Sequence, residues 1–449
     1  MSELPNQPRL LKTLRVSDGV ALLIGITIGS GIYATPSLVA GYFSSFAGTF
    51  TAWTVVGVFI LVGGLIYAEL GTRMPETGGE YLYISRCFGP FAGFMFGWAQ
   101  LFIVRTSPTA GLALIAADYV GFFVELNRTS RIGVALLIIV LLGIFNYVGI
   151  RWASLFQKVT TIIKVAGLTL FAVGGLLLLQ RVPNLLGTTS DPVKDISAVG
   201  NLVGALMLIV FTHTGFDRVG YVAGEMRNPR EVIPRSMVYG LLMVIGLYWS
   251  VISIYHYALG MEGIVATATP AADVAVLMVG TVGAALISIL AVVSATGSMN
   301  GTVMSASRVY YAMARDGLFF KWFDYVHPRF RTPTRAIVAH CTWACVILLA
   351  RGSFTAIAAG MVFAILIFYT LTTLALFKLR REESGDEDVY RIPFYPILPG
   401  LYLVGIVGLL VARAIFEWRS SLIDIAFVAT GLPVSLYWLK NKSSDKAGD

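Results

Sequence analysis

Charge is what this sequence has least of. Asp, Glu, Lys and Arg make up only 13% of its 449 residues, against about 25% in soluble domains. No polar stretch is long enough to fold as a separate soluble domain, and there is no G-x-x-x-x-G-K-[ST] phosphate loop. Both absences exclude ATP-driven machinery within these residues. Cysteine is scarce as well. Cys87, Cys341 and Cys345 all lie in or beside apolar segments. Cys341 and Cys345, four apart, share one helix face and are expected to pack rather than bridge. With no cysteine in the loops expected outside, no extracellular disulfide is expected. No His/Cys/Asp/Glu cluster has metal-ligand spacing, and no nucleophile–base set suggests an enzyme. Nothing suggests nucleic-acid binding, and no cofactor is implied.

What fills the chain is apolar: 57% hydrophobic residues at a mean hydropathy of +0.77. Runs of roughly 20 apolar residues between polar, Gly/Pro-bearing turns read as membrane-spanning helices. They fall near 16–43, 47–72, 89–123, 131–149, 153–180, 197–224, 234–259, 272–314, 336–350, 353–379, 394–417 and 420–438. The fold class is therefore an all-α polytopic membrane protein of about 12 transmembrane helices, with the lipid bilayer as its solvent. The third and eighth runs are too long for one perpendicular span and are expected to tilt or to extend into the loops. The first run is too long and too interrupted for a cleaved signal peptide. Most Lys and Arg residues crowd one side, among them Arg9, Lys12, Arg15, Arg227, Arg230, Arg235, Arg329, Arg331 and Arg335. The opposite side holds few, such as Arg128, Arg131, Arg351, Arg413 and Arg419. That bias predicts cytoplasmic termini. Arg105 and Lys164 are left within the membrane.

The first run contains Ile28-Gly29-Ser30-Gly31-Ile32. Each glycine costs about 1 kcal/mol against Ala in a helix interior, and in lipid every freed N–H and C=O needs a partner. Small residues at such a place also serve close helix packing. A break would instead aim carbonyls at a cation from the first half-helix, and N–H groups at an anion from the second. A zwitterionic amino acid needs both. The sixth run repeats the interruption at Phe211-Thr212-His213-Thr214-Gly215-Phe216-Asp217. Two interrupted helices five apart are the signature of an inverted repeat with its site at the repeat interface. This divides the chain into a tail (1–15), a first five-helix repeat (16–180), a second (197–379), two further helices (394–438) and a tail (439–449). The last two helices are expected to serve packing or oligomer contacts.

Several stretches resemble the amino acid–polyamine–organocation (APC) superfamily, and within it the L-type amino acid transporter (LAT) branch. They are Gly29-Ser30-Gly31-Ile32-Tyr33, Ala68-Glu69-Leu70-Gly71-Thr72, Gly78-Gly79-Glu80-Tyr81 and Arg105-Thr106-Ser107-Pro108. Further on come Glu225-Met226-Arg227-Asn228-Pro229, Ile233-Pro234-Arg235, Asn300-Gly301, Ser307-Arg308 and Ala314-Arg315-Asp316-Gly317. Their order and spacing are more specific than any one of them. The resemblance implies the LeuT/APC fold, a 5+5 inverted repeat with discontinuous helices 1 and 6, and amino-acid transport. Animal members of the branch join a heavy chain through a cysteine between helices three and four. This sequence has none there, so no disulfide-linked heavy chain is expected, and the chain is expected as a monomer or weak homo-oligomer. Gly215-Phe216-Asp217 stands where the branch commonly has Gly-Trp-Asn, which leaves the substrate class open.

The resemblance also implies roles. The substrate carboxylate would meet N–H groups of Ser30, Gly31 and Ile32 beside Gly29. The α-amino group would meet carbonyls around Ile26 to Ile28 and Phe211. Phe211 would close over the substrate as a gate, with Thr214 and Gly215 completing the site. Thr214 occupies the position where cation-accepting members carry aspartate. Lys164 matches the fifth-helix lysine of sodium-independent relatives, seven residues after Gln157, with Ser294 and Ser298 as partners bridging helices one and eight. A lysine at mid-membrane costs from about 2.5 to above 10 kcal/mol unless paired. The expected function is a sodium-independent exchanger of small or medium neutral L-amino acids by alternating access. The alternatives kept open are a proton-coupled symporter, with Lys164 or Asp217 as carrier and cationic substrates admitted, and a transport-dead sensor. Asp217 is read equally as a helix cap. His213 is read as bonding substrate or a neighbour, and Glu69, Glu80 and Glu225 as ion pairs that anchor loops.

Overall fold

The computed structural model describes residues 14–29, 31–76, 78–178, 199–382 and 389–436, so Ser30 lies outside the described residues. Among the described residues fourteen α-helices follow one another: α1 Val16–Thr27, α2 Gly31–Ala40, α3 Phe46–Arg73, α4 Glu80–Ala99, α5 Thr106–Val120, α6 Arg128–Val148, α7 Ile150–Leu178, α8 Val199–His213, α9 Pro229–Ala266, α10 Pro270–Arg315, α11 Thr334–Arg351, α12 Phe354–Glu382, α13 Ile397–Phe416 and α14 Trp418–Ala429. A π-helical turn at Gln100–Val104 joins α4 to α5, and a 3-10 segment, Phe216–Glu225, follows α8. Among the described residues eleven stretches are long and apolar enough to cross a membrane, and α1 with α2, bent by 51°, makes a twelfth. The chain is an all-α, multi-pass membrane protein of the expected fold class.

The long third and eighth runs do extend beyond a single span. The third begins at Glu80 and is kinked at Gly89, and α10 bends at Val279–Gly280. Outward faces are apolar and bare: Ile162 is 69% exposed, Leu170 71% and Val404 70%. Side chains of that kind at such exposure suit hydrocarbon, not water.

Inside, α3 runs along α9, α1 also packs on α9, and α10 is flanked by α5 and α7. Polar clamps fix the ends. Fully buried Glu69 takes Arg380 in a two-pronged bond of 2.7 and 2.6 Å, Arg73 at 3.0 Å and the Ile392 N–H at 2.8 Å. Glu69 thus ties α3 to α12 and to the segment leading into α13. Glu80 corrects the expectation of an ion pair. It accepts from Tyr67 at 2.6 Å and Thr372 at 3.2 Å, and no described arginine pairs with it.

The last two helices are anchored by charge. Asp424 of α14 is fully buried and receives Arg413 of α13 at 2.8 Å, while Arg351 at the end of α11 takes its other oxygen. Arg413 also donates to the Ala359 carbonyl of α12. Removing one partner of such a buried cluster leaves uncompensated charge and costs about 3–5 kcal/mol. We therefore expect Asp424→Ala to lower the melting temperature of the detergent-purified protein clearly. An unchanged melting curve would show that packing alone holds α13 and α14.

Candidate functional site

The two interruptions meet. The α1 helix closes with Ile28 N–H on the Ile24 carbonyl at 2.8 Å, and Gly29 N–H turns back to Thr27 at 2.9 Å. At the end of α8, Thr214 N–H and its hydroxyl both reach the Phe211 carbonyl, at 3.1 and 2.7 Å. Gly215 follows at φ 122°, which L-residues rarely adopt. A Cβ there would lie 2.9 Å from Ile26 Cγ2 and 3.3 Å from the Thr27 backbone. Only a glycine lets the breaks approach this closely. Gly31 is tight for a second reason: a Cβ would sit 3.3 Å from the Thr212 side chain.

Lys164 supplies the partners that the α1 break requires. Its ammonium, with no exposed surface, donates to the carbonyls of Gly25 at 3.0 Å and Ile28 at 3.1 Å, and to Ser298 Oγ at 2.9 Å. Ser294 is reached through its carbonyl at 3.4 Å. The last carbonyls of a helix are unsatisfied and carry the negative end of its dipole. A cation held there by α7 and α10 answers both needs. At the opposite end of the break, no described group accepts from the N–H of Gly31 or Ile32 at the start of α2.

Not every carbonyl expected to face the α-amino group is free. Ile28 is taken by Lys164 and Phe211 by Thr214. Tyr248 of α9, which sequence reasoning missed, bridges the two breaks by donating to Thr27 at 3.2 Å and Thr212 at 3.0 Å. Within an apolar run a tyrosine has no signal distinguishing this task from core packing. Ile26, Thr27, Gly29, Gly31, Phe211, Thr212, Thr214, Arg218, Ser298 and Thr302 line a cavity of about 30 Å³ beside Pro108 and Leu112 of α5. That is room for two or three waters at roughly 10–15 Å³ each, less than an amino acid occupies. From it a vestibule of about 350 Å³ leads toward the side on which α1 starts, past Ile26, Arg218, Gln157, Gly301 and Arg308. A groove of about 520 Å³ between α6 and α11 is larger but lined almost wholly by apolar side chains, with no converging polar groups.

The family model for amino acid permeases matches residues 14–429. The chain belongs to the amino acid permease family. The permease is 30% identical to the serine/threonine exchanger SteT of Bacillus subtilis over 97% of this chain and 98% of that one. It is 26% identical to the human b(0,+)-type amino acid transporter 1, over 96% and 88% of the two chains. The mouse Asc-type amino acid transporter 1 matches at 26%, over 96% and 82%. The permease is a transporter, not an enzyme.

The remaining candidates lie apart from the cavity at the breaks. Asp217 is fully buried and pairs with Arg105 of the third span at 2.9 Å. The 3-10 segment begins after Gly215 without a side-chain cap. His213 bonds back to the Ile209 carbonyl at 2.9 Å and packs between Trp53 and Tyr248. The Arg105–Asp217 pair was not legible, since its members are 112 residues apart.

Lys164→Ala should loosen the end of α1. Losing charge-assisted hydrogen bonds worth roughly 1–3 kcal/mol corresponds to about 5- to 150-fold in a local equilibrium. Hydrogen exchange of the amides of residues 24–29 should accelerate by that order, and Ser298→Ala, which removes one contact, should do less. Unchanged exchange in Lys164→Ala would mean that the ammonium does not hold the break.

Proposed function

We propose that this permease is a sodium-independent exchanger of small or medium neutral L-amino acids, working by alternating access in a plasma or inner membrane with both termini cytoplasmic. The observation that carries this reading is Lys164. A fixed ammonium stands on the α1 carbonyls, where a bound cation would otherwise be needed, and it comes from the chain itself. The substrate carboxylate takes the N–H groups of Ser30, Gly31 and Ile32, at the positive end of α2. Its amino group takes acceptors near Ile26. The side chain turns toward Thr214, Ser298 and Thr302, whose small polar side chains line the cavity. The serine/threonine exchanger among the relatives supports that choice. Phe211, buried with its ring edge-to-face on Phe354 at 5.3 Å, acts as the gate. Residues 16–180 and 197–379 form the moving halves, and the protein acts as a monomer or weak homo-oligomer without a disulfide-linked partner.

Counterflow into proteoliposomes tests this. Uptake of labelled L-serine should require internal amino acid and be equal in sodium and potassium buffers. Arginine and lysine should compete poorly, because no carboxylate among the described residues lines either cavity and an unpaired buried charge costs several kcal/mol, on the order of 2–7 even for a neutral polar group. Strong stimulation by sodium, or efficient arginine exchange, would overturn the reading.

A second test addresses the site. Gly31→Val should abolish substrate binding in a scintillation proximity assay while the protein still elutes as a folded species. A β-branched side chain there presses on Thr212 and fills the approach to the α2 N–H groups. Normal binding by this variant would place the carboxylate elsewhere.

A further inference from the structure

The vestibule is one-sided in charge. Arg105, Arg218 and Arg308 line it, with no Asp or Glu among its described lining residues. These arginines are not equivalent. Arg105 is committed to Asp217 at 2.9 Å and to the Tyr221 hydroxyl at 3.2 Å, and Arg308 donates to the Met304 carbonyl of its own helix. Arg218 is only 6% exposed, yet it forms no ion pair with any described residue. Its one described hydrogen bond is to the neutral hydroxyl of Thr302 at 3.1 Å, and its Nε has no partner. Neighbouring Asp217 turns to Arg105 instead. Arg218 also holds a special place: with Ile26, it lines both the vestibule and the cavity at the breaks.

A buried guanidinium without a counter-charge is unfavourable, and the planar fork it presents is matched by a carboxylate. The α-carboxylate of a substrate is already claimed by the start of α2. The group that suits Arg218 is a second carboxylate on the same molecule. We propose that Arg218 makes dicarboxylic amino acids, of the aspartate and glutamate type, substrates of this permease alongside neutral ones, with the side-chain carboxylate on Arg218. The positive vestibule concentrates such anions at the mouth of the site. This rests on the exchange reading above and extends its substrate class.

The full chain is reconstituted in proteoliposomes loaded with L-serine, and uptake of labelled L-serine, L-aspartate and L-glutamate is compared. We expect at least one dicarboxylate to exchange within about tenfold of serine. In Arg218→Gln the ratio of dicarboxylate to serine uptake should fall about tenfold or more, mainly through KM, and Arg218→Lys should recover part of it. Should Arg218→Gln fail to fold, as judged by size exclusion, competition on the unaltered protein decides. Unlabelled aspartate should inhibit serine uptake at least as well as isosteric asparagine. Serine exchange without dicarboxylate exchange, an unchanged ratio in Arg218→Gln, or aspartate about tenfold weaker than asparagine would each overturn the proposal while leaving the neutral exchanger standing. Absence of serine exchange would bring down both.

Discussion

The structure depends on how a helix broken in hydrocarbon has its loose ends satisfied. A break exposes carbonyls on one side and N–H groups on the other, and unpaired polar groups at membrane depth cost several kcal/mol each, on the order of 2–7. Lys164 meets the carbonyl half of that demand with a charge that matches the end of α1. Its stem comes from α7 and its remaining contacts from α10. One side chain therefore ties the first, fifth and eighth spans at the level of the break. The N–H half has no equivalent among the described residues. In the reading proposed above, the start of α2 is where the anionic group of the substrate binds.

The second break is not a copy of the first but its counterpart in contact. Gly215 allows the turn after α8 to lie against Ile26 and Thr27, and the Tyr248 hydroxyl donates to a carbonyl on each side. Anything that shifts α1 must then shift or release the end of α8. Beyond the turn, Asp217 and Arg105 lock the 3-10 segment to the third span. Around the break, α8 packs against α12, α2 and α3, whereas the 3-10 segment packs mainly against α9, α1 and α3. The cavity of about 30 Å³ and the vestibule of about 350 Å³ share Ile26 and Arg218 and so adjoin beside this break.

What was legible in the sequence was local. Spans follow from hydropathy, and breaks from glycines set among polar residues, so the helices and both interruptions fall where the composition puts them. Lys164 stood out because a lone charge at mid-membrane requires an explanation, and Ser294 and Ser298 because the family resemblance implies a bridge from that lysine to the eighth helix. What was not legible was the identity of distant partners. Glu80 looked like a member of an arginine pair, yet it bonds Tyr67 and Thr372. Asp217 read equally as a helix cap or a proton carrier, and its ion pair with Arg105 was not foreseen. Asp424 and Arg413 carry no motif, and their pairing appears only when α13 and α14 fold back on α11 and α12. Pairing across the chain depends on packing, which leaves no trace in local spacing. Tyr248 was lost for the same reason, as one tyrosine among 20.

The fixed ammonium also bears on why exchange is the natural mode. A ligand shifts a conformational equilibrium only by its differential affinity for the two states. In a carrier that binds a free cation, that ion supplies part of the difference and is released at the end of each cycle. Lys164 cannot leave. It stabilises the end of α1 whether or not substrate is present, so it contributes little to distinguishing loaded from unloaded protein. The substrate alone must then supply the contacts that favour crossing; in the reading proposed above these are the α2 N–H groups and the closure of Phe211 over them. No described group accepts from those N–H groups, so the unloaded form gains nothing by passing through a closed, water-poor intermediate. A carrier that crosses readily only when loaded returns with another substrate in place, and that is exchange.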